Sequence, residues 1–320
     1  MRIAIVGAGG MGRAWAERID LIDAARVAAF VDPLIGSMYE PTWLKDFPDT
    51  KVVSSLAELD SGMVEAVVVT AATPAHQEVI LQALGKRLHV LVEKPFTTSL
   101  AGAQELVELA CRNNCILMVS QNYRFLKSMQ LLRKVITEGS FGHLRAVSCR
   151  FWCDHVGRTY QREMLHPMAL EMAIHHFDLI RALSGAEAVF GHVMEWNSAR
   201  SPYQQGGGIA ASYQMEGGGL SFPFLYTGSL ISTLPPAPWV GLWQLEFDQT
   251  TVIIDKVDGV YGIYRGVPSD YELLSLVELD ILESLPISFE HFVSCINTGQ
   301  EPWSSGRDNL LTLRMALGFL

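Results

Sequence analysis

The sequence predicts an α/β chain with a doubly wound parallel sheet over residues 1–121. A mainly antiparallel α+β domain is expected over residues 122–320. Three observations carry this reading. Short apolar runs alternate with helical patterns through the first 120 residues, as strand–helix–strand units require. Several of those runs are apolar on both faces, as strands covered by helices on each side must be. Past residue 123 the strand-like runs follow one another directly, separated by Gly and Pro clusters, which implies antiparallel pairing.

In chain order, strands are expected at residues 3–6, 27–31, 52–53, 66–70, 89–92 and 116–120, with helices at 11–19, 75–85 and 100–113. A helix at 129–138 then leads into a strand at 144–153. The stretch 167–183 reads as one helix, with Pro167 suited to its first turn. Strands follow at 189–196, 209–215, 220–226, 242–247, 252–255 and 260–264, and helical patterns at 288–297 and 307–320 close the sequence. The last of these shows no cap or stop signal at Leu320, which leaves open whether the natural chain continues. A length of 320 residues suits two domains, each able to bury a core.

Composition narrows the function classes. With 24 basic and 34 acidic side chains the net charge is −10, which argues against nucleic-acid binding. Only 18% of residues are charged, and residues 217–245 form 29 consecutive positions without a charge. That stretch is long enough to span a bilayer. It also holds Gly217, Gly218, Gly219, Gly228, Gly241, Pro223, Pro235, Pro236 and Pro238, which would break a helix in lipid, so no membrane segment is expected. Five cysteines do not suggest a disulfide framework, and the i, i+4 pairs Cys111/Cys115 and Cys149/Cys153 lack partners for a zinc site. Free thiols, no metal, no signal peptide and a cytoplasmic location are the expectation.

Gly7-Ala8-Gly9-Gly10-Met11-Gly12 fits G-x-G-x-x-G between the first strand and the first helix. Gly7 permits the tight turn, Gly9 lets backbone approach a pyrophosphate, and Gly12 lets helix and strand pack closely. The helix N-terminus then presents free N–H donors to the phosphates. Asp32 lies 20 residues past Gly12, at the end of the second strand, where it can accept from a ribose 2′-OH. A carboxylate there disfavours a 2′-phosphate, and Pro33-Leu34 bring no arginine to receive one. NAD is therefore favoured, with NADP still possible.

Two further segments sit at carboxyl ends of strands, where open α/β sheets bind ligands. Thr70 and Ala71 lead into Thr73-Pro74-Ala75-His76 after the fourth strand, and Glu93-Lys94-Pro95 follows the fifth. Lys94 would stand either beside a nicotinamide or simply in solvent. On the helix after Pro167, Glu171, His175 and Asp178 are spaced i, i+4 and i+7. At about 100° per residue they share a stripe roughly 60° wide. Spacing alone leaves two readings, a catalytic group or a satisfied polar cluster.

Together these motifs resemble the glucose-fructose oxidoreductase / inositol dehydrogenase / rhizopine-catabolism family, Gfo/Idh/MocA, in order and spacing over residues 7–178. The resemblance implies an N-terminal Rossmann domain and an open-faced C-terminal sheet. It further implies hydride transfer between a nicotinamide cofactor and a hydroxyl or keto group of a sugar, cyclic polyol or related small molecule. By the same resemblance Lys94 corresponds to the family's active-site lysine and His175 to its catalytic histidine. Glu171 stands where aspartate is common, a departure that bears on substrate identity more than on reaction type. Thr73, Pro74 and His76 match the loop beside the cofactor. Gln121, Tyr123 and Arg124 fall where relatives begin to meet substrate.

Histidine suits proton transfer because its pKa lies near working pH, and a lysine can stabilise charge developing on the reacting oxygen. His175 is therefore expected as acid/base and Lys94 as the donor to the oxygen, with Glu171 orienting imidazole or substrate. Arg158, Tyr160, Arg162, His166 and His176 are further candidate substrate contacts, and the cation-rich loop 154–166 suits a carboxylate or polyhydroxyl ligand. Two other functions fit the same resemblance: an NAD-dependent glycosidase and a non-catalytic NAD(P)-binding sensor. An open sheet also needs cover for its second face. The uncharged stretch is expected to provide it as a homo-oligomer interface, dimer or tetramer.

Overall fold

The computed structural model describes residues 1–39, 41–267 and 270–318. β1 (Arg2–Val6) starts a parallel sheet, its apolar residues Ile3, Ala4, Ile5 and Val6 all buried. α1 (Gly10–Ile19) follows the glycine turn and buries Gly12, Ala14, Trp15, Ala16 and Ile19. Then come β2 (Arg26–Val31), β3 (Lys51–Val53), β4 (Ala66–Val69), α2 (His76–Gly85), β5 (His89–Val92), α3 (Leu100–Arg112) and β6 (Leu117–Val119). The strands lie in the order β3-β2-β1-β4-β5-β6, every pairing parallel. The order reverses between β1 and β4, so their carboxyl ends form the crevice of a doubly wound sheet. Between β2 and β3 the chain makes a 3-10 turn, Thr42–Asp46. There Trp43 and Phe47 pack edge-on against Phe30 at 5.1 and 5.5 Å.

The second sheet is built from longer strands. After α4 (Lys127–Thr137), β7 (Leu144–Trp152) and the short α5 (Thr159–Glu163), the helical run entered at Pro167 makes a π-turn, Ala169–Ala173. The Ile174 N–H donates to the Ala169 carbonyl, five residues back. α6 (Ile174–Ser184) continues from there and stops at Gly185, φ +68°. The strands that follow are β8 (Glu187–Trp196), β9 (Gly208–Gly217), β10 (Leu220–Ser229), β11 (Leu242–Phe247), β12 (Thr251–Val257), β13 (Val260–Val267) and β14 (Asp270–Leu276). Their order is β14-β13-β12-β11-β7-β10-β9-β8. All neighbours are antiparallel except β7 and β10, which run parallel.

The uncharged stretch is β10, a proline-rich loop and the start of β11. Phe222, Phe224 and Tyr226 of β10 point into the core at 1% exposure or less, while Leu225 between them is 54% exposed. Phe177 of α6 meets Tyr226 edge-on at 5.0 Å and Tyr213 at 5.2 Å. The loop is tied down where the Trp152 indole donates to the Pro235 carbonyl at 2.8 Å. Packing inside one chain thus accounts for much of the missing charge.

The chain closes with α7 (Leu285–Thr298), whose Phe289 lies 6.3 Å from Trp15 of α1, and α8 (Gly306–Ala316). Phe319 and Leu320, the end of the expected last helix, lie outside the described residues. Two compact units result: Met1–Gln121 with Ser284–Leu310, and Asn122–Glu283 with Leu311–Leu320. Among the described residues no helix is long and apolar enough to cross a membrane, and all five cysteines are free thiols.

Candidate active site

The first unit builds a cradle at the start of α1. Gly7 has φ +102°, and a Cβ there would fall 2.6 Å from the Ala71 nitrogen. At Gly12 a Cβ would fall 2.1 Å from the Gly7 carbonyl oxygen, so only glycine allows helix and turn to approach this closely. The Thr70 hydroxyl donates to that same Gly7 carbonyl at 2.7 Å, and the Gly7 N–H donates to Val31 at 2.8 Å. Cβ atoms on Gly9 or Gly10 would meet nothing within 4 Å. Gly9 caps α1 without a side-chain hydrogen bond. Open space therefore lies beside the Gly9-Gly10-Met11 backbone, at the end of a helix whose first N–H groups remain available. That is what a pyrophosphate requires. Asp32 anchors the other side, accepting from the Ala8 N–H at 2.9 Å and the Leu34 N–H at 2.9 Å. A dinucleotide fits these residues.

The two loops named from β4 and β5 are fastened together by His76. Its Nδ1 lies 2.8 Å from the Pro95 carbonyl and its Nε2 2.9 Å from the Ala71 carbonyl. His76 is 1% exposed, and its one ring N–H donates to one of these two carbonyls while the ring packs between the loops, so it shapes them. Thr73 is buried and Pro74 opens the 3-10 turn before α2. Glu93 accepts the Trp15 indole N–H at 2.8 Å. Burial pushes its carboxyl above the usual range, while that N–H and the charge of Lys94 pull it back. Trp15 is a contact that sequence reasoning missed, because a helix aromatic on an apolar face reads simply as core.

In the second unit the short 3-10 turn Asn122–Phe125 is wholly buried. Tyr123 lies flat on His175, ring centroids 4.4 Å apart and planes 10° apart, with the two residues 2% and 6% exposed. Burial pushes the Tyr123 phenol far above its ordinary range, so it carries its proton beside the imidazole. Glu171 sits within the π-turn, so the uniform 100° spacing used to place it on one stripe with His175 and Asp178 does not hold across that turn.

Two candidate substrate contacts take structural roles. Arg124 donates from Nε to Asp178 Oδ2 at 2.6 Å and from Nη2 to Oδ1 at 2.5 Å, with both side chains almost fully buried. It is spent on the scaffold. His176 is 0% exposed, with Nδ1 2.9 Å from the Tyr226 hydroxyl and Nε2 2.9 Å from the Trp239 carbonyl. Burial lowers its pKa to about 4, so it is a neutral core group that accepts from Tyr226 and donates to Trp239. Arg158 is exposed at the start of α5, and Arg162 is partly exposed beside Thr159. On the same rim His166 pairs with Glu195 at 2.7 Å, which holds the imidazole above its ordinary pKa. Among the described residues no group of three or more His, Cys, Asp or Glu could hold a metal ion.

Residues 1–121, the segment that builds the glycine cradle, match the model of the GFO_IDH_MocA oxidoreductase family, with its NAD-binding Rossmann fold. Over those residues the chain is similar to the Gfo/Idh/MocA family. It is similar to the myo-inositol 2-dehydrogenase of Thermotoga maritima, 27% identical over 58% of this chain and 56% of that one. It is also similar to the glucose-6-phosphate 3-dehydrogenase of Bacillus subtilis, 31% identical over 47% of this chain and 42% of that one. The chain thus spans about half the length of the curated relatives it matches. Among solved structures, an oxidoreductase from Agrobacterium radiobacter in complex with NAD+, L-tartaric acid and magnesium superposes with a TM-score of 0.85 at 19% identity. That match covers 99% of this chain and 94% of that one, and shows that the two share a fold throughout.

Proposed function

We propose that the protein is an NAD(P)-dependent dehydrogenase acting on a CH–OH group of a sugar, cyclic polyol or related small molecule. One observation carries the reading: a family Rossmann unit with an open glycine cradle and a waiting Asp32, in the same chain as a buried histidine held flat by Tyr123. When bound, NAD supplies the hydride acceptor. His175 takes the hydroxyl proton as the C–H bond breaks, and Tyr123 fixes the plane in which its ring can receive it. Lys94 donates to the reacting oxygen as negative charge builds there. Glu171 orients substrate or imidazole, and Arg158 and Arg162 meet the substrate's outer hydroxyls or a carboxylate. Incubating the protein with a panel of sugars, inositols and their keto forms should change NADH absorbance with at least one of them. If no compound does so, while a glycoside is cleaved with bound NAD unconsumed, the dehydrogenase reading fails and the glycosidase replaces it.

The same reading includes a cytoplasmic location, supported by four buried thiols that a reducing compartment would preserve. It also includes a homo-oligomer formed through the second sheet. On the face away from α6, the register sets Phe190, Met194 and Trp196 of β8 beside Leu225 of β10, across β9. They are 56, 65, 40 and 54% exposed, and a run of apolar side chains on one sheet face favours a second copy. Sedimentation at micromolar concentration should show a dimer or tetramer. A clean monomer would remove this part of the proposal.

A further inference from the structure

Asp32 has a third partner that the dinucleotide motif does not include. The Tyr39 hydroxyl donates to Asp32 Oδ2 at 2.6 Å, beside the Ala8 N–H on the same oxygen at 2.9 Å. Oδ1 accepts from the Leu34 N–H at 2.9 Å. A carboxylate offers about four lone-pair positions, so one acceptor position is left, on Oδ1.

The loop between the two residues is built to make this contact. The Leu34 carbonyl accepts from Met38 at 2.9 Å and from Tyr39 at 3.3 Å, and the Gly36 N–H donates to Tyr39 at 3.1 Å. Gly36 takes φ +75°, which lets the chain double back. Tyr39 is thereby returned to the end of β2, still 36% exposed.

A carboxylate can only accept, so the phenol must spend its one proton on Asp32. What its oxygen then shows to a ligand is lone pairs alone. Burial and the charge of Asp32 both hold the phenol pKa above its ordinary range, so the proton stays in place at any working pH. Asp32 Oδ1 and the Tyr39 oxygen, which is held on Oδ2 of the same carboxylate, therefore each offer a ligand an acceptor and no donor. The hydroxyls of an unmodified ribose match that pair. A 2′-phosphate brings only further acceptors and negative charge.

We infer that Tyr39 is a specificity-determining residue, its oxygen accepting from the adenosine ribose 2′-OH and so favouring NAD over NADP. The inference rests on the dinucleotide reading above and adds to it a residue outside the motif.

Fluorescence titration of wild type and Tyr39→Phe with NADH, NADPH and 2′-deoxyadenosine NADH tests it without any substrate. Losing one hydrogen bond should weaken NADH about fivefold and leave NADPH within about twofold, so that discrimination falls. The 2′-deoxy analogue should bind both proteins alike. NADH binding that tightens in the variant would overturn the inference, because the phenol would then be competing with ribose for Asp32. Equal weakening of all three ligands would overturn it too, by reducing Tyr39 to a loop support. A wild type that binds none of them overturns the dinucleotide reading itself, a result distinct from unchanged discrimination in a protein that does bind.

Discussion

Replacing His175 by alanine is expected to lower turnover by about 10²–10⁴ while leaving the dissociation constant for NADH within about twofold. The two effects separate because the residues belong to different parts of the chain. The glycine cradle and Asp32 lie within residues 1–121, the segment matched by the NAD-binding family model. His175 lies in the first turn of α6, where its ring rests on Tyr123 at 4.4 Å. A stacked imidazole loses little rotational freedom when substrate arrives, which is how a fixed base gains its rate. Steady-state turnover and NADH titration on the same preparation check this. Parallel loss of both would show that His175 serves the fold.

The doubly wound sheet was legible because its constraints are local. A strand buried on both faces must be apolar throughout, and Ile3–Val6 and Ala66–Val69 are. The glycine positions were legible for the same reason, since the 2.1 Å clash at Gly12 involves a neighbour only five residues away. The second sheet was legible as strands but not as pairings. β7 runs parallel to β10 although 67 residues separate the two strands, and no periodicity within either strand records that. β14 escaped notice because Asp270, Glu272 and Ser275 break up its apolar residues, leaving an edge strand that reads as loop.

Side-chain roles in the site were less legible than side-chain identities. His176 looked like a ligand-facing neighbour of His175, yet its partners Tyr226 and Trp239 lie 50 and 63 residues on. Tyr39 lies in a loop without periodicity, and only the backbone bonds around Gly36 bring it to Asp32. Glu171, His175 and Asp178 were placed on one stripe by assuming a regular helix. The π-turn at Ala169–Ala173 changes that assumption where Glu171 sits. Such turns arise from one extra residue in a helical run, and composition carries no mark of them.

Asp178 shows most clearly what spacing could not reveal. Asp178→Ala, or Arg124→Met, is expected to destabilise the protein by about 3–5 kcal/mol, because either change leaves a buried charge without its partner. The pair is bidentate, and its side chains are 1% and 2% exposed. Water cannot take the place of the lost group. Asp178 Oδ1 also accepts from the Thr312 hydroxyl at 3.0 Å, while Arg181 donates to that hydroxyl at 2.6 Å and to Glu187 at 2.8 Å. Loss of Asp178 therefore strands a hydroxyl along with a guanidinium, and should be the more severe of the two single changes. The double variant Arg124→Met/Asp178→Leu tests the physical cause. With both charges gone the desolvation penalty goes with them, and the double variant should be more stable than either single one. Urea midpoints at unchanged slope measure all three. Single variants within about 1 kcal/mol of wild type would mean that the charges are solvated, and would return Arg124 to the list of groups free to meet a substrate.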